Sequence, residues 1–332
     1  MSKGWRVASI VLLTALLVVG SGFGIYLMTR PAQVKIRLGL ALQPASALVM
    51  IALERGFFEK RGLQPVVSSY PSGKRALREG LLTGQADVVT TADVPFVAAV
   101  LEQFPLVAVG SIYYAYNMNR IVARRDLGVN QVADLRGKRV GTQKYSAVHY
   151  FWHLFQQQHQ LQAEEQQTRF YRAEQLVNKL QAGDIDAFSM REPYVSEAIR
   201  RMPDRIRVFS SPGTYLQSEL VVVKRSYSRD SPEIMQRLME ALMDAERYSK
   251  RHPEKASEIV ARALGISGAN PMFLNPEVRF EVEFSQRLLE SLSAQALWMR
   301  GGDSKGNGVY LMDAIDVSHL SLLDSEKVSI IW

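Results

Sequence analysis

From Val34 onward the chain repeats one pattern, a short apolar strand followed by a polar loop and a helical stretch, and this predicts an α/β fold of helices packed on mostly parallel sheets. Val34, Ile36, Leu38 and Leu40 lie two apart and predict a first strand. Gln43-Pro44-Ala45-Ser46 then opens a helix whose apolar residues run through Leu48, Ile51 and Ala52 to a stop near Gly56. The unit recurs at Val66–Ser68 with a helix over Lys74–Leu82, and at Val88–Thr90 with a helix entered at Asp93-Val94-Pro95. Leu106–Ser111 predicts a further strand.

Asn119–Arg124 reads as an extended crossing into a second, shorter series. That series holds strands at Arg139–Thr142, Thr168–Tyr171 and Ala187–Met190, with helices over Ala147–His159, over Glu174–Ala182 and after Pro193. Glu219–Lys224 is again extended, and helices follow over Pro232–Arg251, Glu254–Leu264 and Pro276–Met299. Two lobes joined by crossings near residues 119–124 and 217–224 are expected: residues 34–118 with 221–332 as the first lobe, and 119–220 as the second. The length of 332 residues suits two domains of ordinary size.

Charge and cysteine content remove several function classes. With 40 Lys+Arg against 33 Asp+Glu the net charge is +7, and residues 1–30 hold three cations and no acid, which leaves +4 on the remainder. The cations form no clustered stripe, so no nucleic-acid partner is expected. The absence of cysteine excludes disulfides, thiolate metal sites and a thiol nucleophile. Between Arg6 and Arg30 the stretch Val7–Thr29 carries no charge and is long enough to cross a bilayer of roughly 30 Å. It predicts an N-terminal transmembrane anchor over residues 1–30, or a cleaved signal, and an exported body on the extracytoplasmic side.

The loops between strand and helix carry the candidate chemistry. Free backbone N–H groups and the positive end of the helix dipole make a helix N-terminus attractive to anions, and in open α/β sheets such loops converge on one crevice. The first lobe offers Gln43, Pro44 and Ala45, then Tyr70, Ser72 and Gly73, then Thr90, Thr91 and Asp93. The second offers Thr142, Tyr145, Ser146, Ala147, His149, Arg191 and Glu192. Asp93 and Ser146 also suit helix caps. Tyr113, Tyr114, Tyr116 and Asn117 lie just before the first crossing, where their rings either stack on a flat ligand or cover the end of the sheet.

Four segments occur in the order of a known family: Ala52-Leu53-Glu54-Arg55-Gly56-Phe57-Phe58-Glu59-Lys60-Arg61-Gly62-Leu63, Ala133-Asp134-Leu135-Arg136-Gly137-Lys138-Arg139-Val140-Gly141, Ser146-Ala147-Val148-His149-Tyr150-Phe151 and Glu192-Pro193-Tyr194. In these the chain resembles the type II periplasmic solute-binding proteins of the sulfonate, taurine, nitrate and thiamine-pyrimidine group, over about residues 34–332. The resemblance implies a monomeric, two-lobed, non-enzymatic receptor without cofactor that delivers a small organic or inorganic anion to an ABC permease, with a receptor for a pyrimidine or thiamine precursor, a membrane-tethered ligand sensor and an enzyme on the same fold as the alternatives. It also implies a ligand cleft lined by the loops at Gln43–Ala45, Thr90–Asp93, Tyr145–Ala147 and Arg191–Glu192. Two positions depart from the family pattern: Arg191 stands where an aromatic residue is frequent, and Tyr145 where Gly precedes the serine. Arg191 either supplies a fixed cation for a carboxylate or sulfonate, or pairs with Glu192 or solvent.

Two further motifs lead away from a receptor. His149-x-x-x-His153 places two imidazoles on one helix face, but Tyr150 stands where a zinc protease needs glutamate, so no metal is expected. Gly302-Asp303-Ser304-Lys305-Gly306 fits a nucleophile elbow, with Asp313 or Asp316 and then His319 in hydrolase order, but it lies in a glycine-rich loop after a helix and not between strand and helix.

Overall fold

The computed structural model describes residues 33–161, 168–266, 271–301 and 311–331. The anchor or signal expected over residues 1–30 and the motif Gly302–Gly306 lie outside the described residues. Among the described residues no helix is long and apolar enough to cross a membrane.

The larger sheet has six strands: β1 (Val34–Ala41), β2 (Leu63–Tyr70), β3 (Val88–Ala92), β4 (Leu106–Ala115), β10 (Gln217–Lys224) and β11 (Val278–Arg279), in the order β11-β4-β10-β3-β1-β2. β1 runs parallel to β2 and β3, while β10 returns antiparallel between β3 and β4. The smaller sheet orders β7 (Thr168–Phe170), β6 (Val140–Thr142), β8 (Ala187–Met190), β5 (Arg120–Arg124) and β9 (Ile206–Phe209). Residues 217–220, expected in the second lobe, belong to β10 of the larger sheet, so the return crossing runs through residues 210–216. Residues 120–124, expected as a crossing, form a strand of the smaller sheet.

Apolar residues on both sides of the larger sheet account for its two helical layers. Ile36, Leu38, Val221 and Val223 face α1 (Ala47–Glu54) and α6 (Pro232–Arg251), where Met235, Leu238, Met239, Leu242 and Ala245 recur at helical spacing. Val89, Leu220 and Val222 face α2 (Asp93–Leu101) and α8 (Gln286–Met299). Such two-sided burial suits the near-continuous apolar runs of β3, β4 and β10. In the smaller lobe α3 (Ala147–Gln158) and α5 (Tyr194–Arg201) pack on the sheet, with Phe151, Trp152 and Phe155 among the largest buried side chains.

Further elements differ from the sequence expectation. The helix predicted from Pro276 begins only at Gln286, because Val278, Phe280, Val282 and Phe284 alternate at period two and bury one face of an extended segment. β4 runs on to Ala115, which makes Tyr113 and Tyr114 strand residues.

Candidate functional site

The lobes enclose a cleft of about 820 Å³, within the range of small-molecule sites. Gln43 and Pro44 enter it from the loop after β1, Ser72 and Lys74 from the turn after β2, Gln143 from the loop after β6, and Arg191 and Glu192 from the loop after β8. At its floor a smaller recess of about 30 Å³ is bounded by Ala92, Pro95, Ser146 and Ala147. Gly73 makes this convergence possible: a Cβ there would lie 2.7 Å from the backbone of Thr91, so only glycine lets the β2 loop settle on β3.

Neutral groups hold the cleft's two central cations. The Arg191 guanidinium donates to the side-chain oxygens of Gln217 at 3.3 Å and Gln43 at 3.2 Å. Lys74 Nζ crosses the cleft to the Lys144 carbonyl at 2.9 Å, and burial pulls its proton affinity down. Neither forms an ion pair among the described residues, whereas Arg75 and Arg78 on the rim are paired with Glu79 and Glu102. Two cations held by carbonyl and amide oxygens keep most of their field for an incoming anion. Ser146 adds to this, because its hydroxyl donates to the Gln143 carbonyl at 2.6 Å and leaves the first N–H groups of α3 without a side-chain cap.

Beneath the cleft Glu219 is fully enclosed. It accepts from Gln43 Nε2 at 2.8 Å, and burial pushes its carboxyl up to about 8. Behind it Asp93 ties the return crossing to the larger lobe. Its carboxylate accepts from the Tyr215 hydroxyl at 2.6 Å, Val94 N at 2.8 Å, Gln295 Nε2 at 3.0 Å and Ser218 N at 3.4 Å, and burial pushes it up to about 6. These partners come from α2, the return crossing, β10 and α8.

Of the residues singled out in the sequence, Gln43, Pro44, Ser72, Gly73, Ser146, Ala147, Arg191 and Glu192 meet at the cleft. Arg191 is not paired with Glu192, whose carboxylate accepts from Ser196 N at the start of α5. The other candidates lie elsewhere. Ala45 packs in the core beside α1, and Tyr70 is buried with its ring against Gly80 and Gly39. Thr90 shares a buried hydrogen bond of 2.8 Å with Ser46, and Thr91 faces the opposite side of the sheet with its hydroxyl unpartnered. Asp93 belongs to the network that ties the return crossing to the larger lobe. Tyr113 is buried with its ring 5.4 Å from Phe280, because β4 carries it into the core. Asn117 shapes the first crossing, with φ of 57° and a side-chain oxygen that accepts from Arg120 at 3.0 Å.

Tyr145 and His149 are part of an aromatic bridge between the lobes. Trp298, near the end of α8 in the larger lobe, lies 4.8 Å from His149, 5.1 Å from Tyr150, 5.6 Å from His153 and 6.3 Å from Tyr145 by ring centroids. Burial and the cations around it pull His149 down to about 4, so it adds no positive charge at neutral pH. Its Nδ1 accepts from Tyr145 N at 3.2 Å, which fits the positive φ of 50° at Tyr145. Trp298→Ala is expected to cost about 2 kcal/mol and to enlarge the radius of gyration in small-angle X-ray scattering as the lobes separate; an unchanged radius would show that the bridge does not hold them.

Asp316 and His319 belong to a buried cluster around Ser228. Both meet the buried Ser228 hydroxyl, at 2.6 Å and 2.9 Å, and the hydrogen bond from His319 helps hold the Asp316 carboxyl well below the usual range. The cluster joins C-terminal segments, and Ser228 is only 1% exposed, which leaves no access for a substrate.

Sequence reasoning missed Lys74, Gln217, Glu219 and Trp298. Glu219 left a readable signal as a lone acid at the head of the apolar run Leu220–Val223. Trp298 left none, because α8 meets the second lobe only in the folded chain.

The two lobes, the paired crossings and the cleft define a periplasmic-binding-protein fold. The chain belongs to the NMT1/THI5-like family, whose model matches residues 43–256. It is similar to a putative aliphatic sulfonates-binding protein of Escherichia coli (strain K12), 24% identical over 233 residues that cover 69% of this chain and 72% of the relative. Among solved structures it resembles the alkanesulfonate-binding protein SsuA from Xanthomonas axonopodis pv. citri bound to MOPS, with a TM-score of 0.67, 19% identity and coverage of 86% of this chain and 99% of that one. The periplasmic nitrate-binding protein NrtA from Synechocystis PCC 6803 matches with a TM-score of 0.70 at 11% identity, over 90% of each chain.

Proposed function

We propose that this protein captures a small organic anion of the aliphatic sulfonate class between its lobes and delivers it to the permease of an ABC import system. The observation that carries this reading is the pair of cations, Arg191 from one lobe and Lys74 from the other, which face one cleft while bonded to neutral oxygens. An anion touching both would favour the closed arrangement over the open one, and that difference is the signal a permease can read. The protein acts as a monomeric receptor rather than an enzyme, on the extracytoplasmic face of the membrane, with Val7–Thr29 as its tether or export signal. The similar binding proteins support the ligand class, and a sulfonate's three oxygens suit a guanidinium, an ammonium and backbone N–H groups together.

Native mass spectrometry of the purified protein, followed by thermal shifts with ethanesulfonate, taurine, nitrate and a hydroxymethylpyrimidine, tests the reading. Ethanesulfonate at about 100 times its dissociation constant is expected to add roughly 2.7 kcal/mol of stability. A shift with the pyrimidine alone would replace the anion with a thiamine precursor as the ligand. Adjacent permease and ATPase genes would favour transport over ligand sensing.

A further inference from the structure

Glu219 is surrounded on every side yet only half satisfied. It stands on β10 between Ala92 of β3 and Tyr113 of β4, with Oε1 bonded to Gln43 and Oε2 without a hydrogen-bond partner. The titratable and charged groups facing it are Arg191 after β8, Tyr113 of β4 and Asp93 at the start of α2. Only Arg191 is a cation, and it reaches Glu219 through a relay: the guanidinium donates to Gln43 Oε1, and Gln43 Nε2 donates to Glu219. Arg191 and Gln43 favour the ionised carboxylate, while burial and Asp93 oppose it.

We propose that Glu219 is a proton-binding residue beneath the ligand cleft, so that an organic anion pairing with Arg191 is held together with a proton on Glu219. This rests on the anion reading given above. An anion at Arg191 cancels the field that favours ionised Glu219, and ionised Glu219 competes for the same guanidinium. By linkage the anion therefore raises the proton affinity of Glu219, and the proton raises the affinity for the anion. The free carboxyl titrates near 8, so anion affinity is constant below that pH and falls above it, by up to about tenfold per pH unit.

Titration of the full chain with ethanesulfonate from pH 6.5 to 9.5 tests this. The expected result is a dissociation constant that is flat to about pH 7.5 and then rises, with proton uptake approaching one per anion at pH 9 in calorimetry across buffers of different ionisation enthalpy. Glu219→Gln, which mimics the neutral acid, is expected to abolish both the slope and the uptake and to keep the low-pH affinity. Lys74 also loses its proton at high pH and gives a slope of the same sign, so Lys74→Met is measured in parallel; it is expected to bind more weakly but to retain the slope. A wild-type dissociation constant that stays flat without proton uptake overturns the proposal, as does a slope lost in Lys74→Met and kept in Glu219→Gln. If ethanesulfonate does not bind even at pH 6.5, the anion reading itself falls and takes this proposal with it.

Discussion

Arg191→Ala is expected to weaken ethanesulfonate binding by roughly ten- to a hundredfold while moving the melting temperature by no more than about 2 °C. A hydrogen bond to a charged group is worth about 1.5–3 kcal/mol, and each 1.4 kcal/mol is tenfold in affinity. The fold survives because Arg191 lies at the cleft surface and, among the described residues, its side-chain hydrogen bonds go to Gln43 and Gln217, two neutral amides that need no cation to stay in place. Arg191→Lys keeps the charge and loses the fork, so an intermediate affinity is expected. Calorimetric titration of the three proteins checks the order, and equal affinities would remove Arg191 from the site.

Asp93→Ala is expected to have the largest effect on stability, a loss of about 3 kcal/mol and a melting temperature lower by roughly 6 °C. The carboxylate is fully enclosed, and its removal leaves the Tyr215 hydroxyl and Gln295 amide without their acceptor at the junction of the lobes. The pH dependence follows a definite sign. Because burial raises Asp93 from 3.8 to about 6 in the folded protein, its contribution to stability is greatest below pH 3.8 and falls as pH rises to 6. His149, lowered from 6.5 to about 4, acts in the opposite direction and makes stability rise over nearly the same window. In the wild-type protein the two slopes oppose each other. Asp93→Ala unmasks the histidine, so its melting temperature is expected to climb from pH 4.5 to 6.5 more steeply than that of the wild type. Parallel slopes in differential scanning calorimetry would contradict this assignment.

The strand, loop and helix repeat made the α/β architecture legible, because period-two runs such as Ile36-x-Leu38-x-Leu40 and helical spacing such as Met235, Leu238, Met239 and Leu242 are local signals. The loops at Gln43, Ser146 and Arg191 were legible for the same reason, since each follows a recognisable strand. Side-chain direction was not. Tyr70, Thr91, Asp93 and Tyr113 sit at the ends of strands or just beyond, yet their chains turn into core or hinge, and one residue of register separates the two faces of a strand. Pro276–Ser285 reads as helix in the sequence but is extended, because its buried residues Val278, Phe280, Val282 and Phe284 alternate just ahead of the true helical pattern of α8. Trp298 and Gln295 act on the second lobe and the hinge from a helix far away in the chain, a contact that only tertiary packing creates.

Because the chain has no cysteine, two can be introduced and labelled at will. Glu79 in the first lobe and Glu174 in the second border opposite lips of the cleft. Spin labels on Glu79→Cys/Glu174→Cys, with their separation measured by pulsed electron resonance before and after saturating ethanesulfonate, report closure directly. The expected result is a shorter, narrower distance distribution with the anion, and a closed fraction in the same pair carrying Arg191→Ala that reaches the same size only at roughly ten- to a hundredfold more ethanesulfonate. Identical distributions with and without ethanesulfonate, at a concentration where calorimetry shows it bound, would contradict capture by closure of the two lobes.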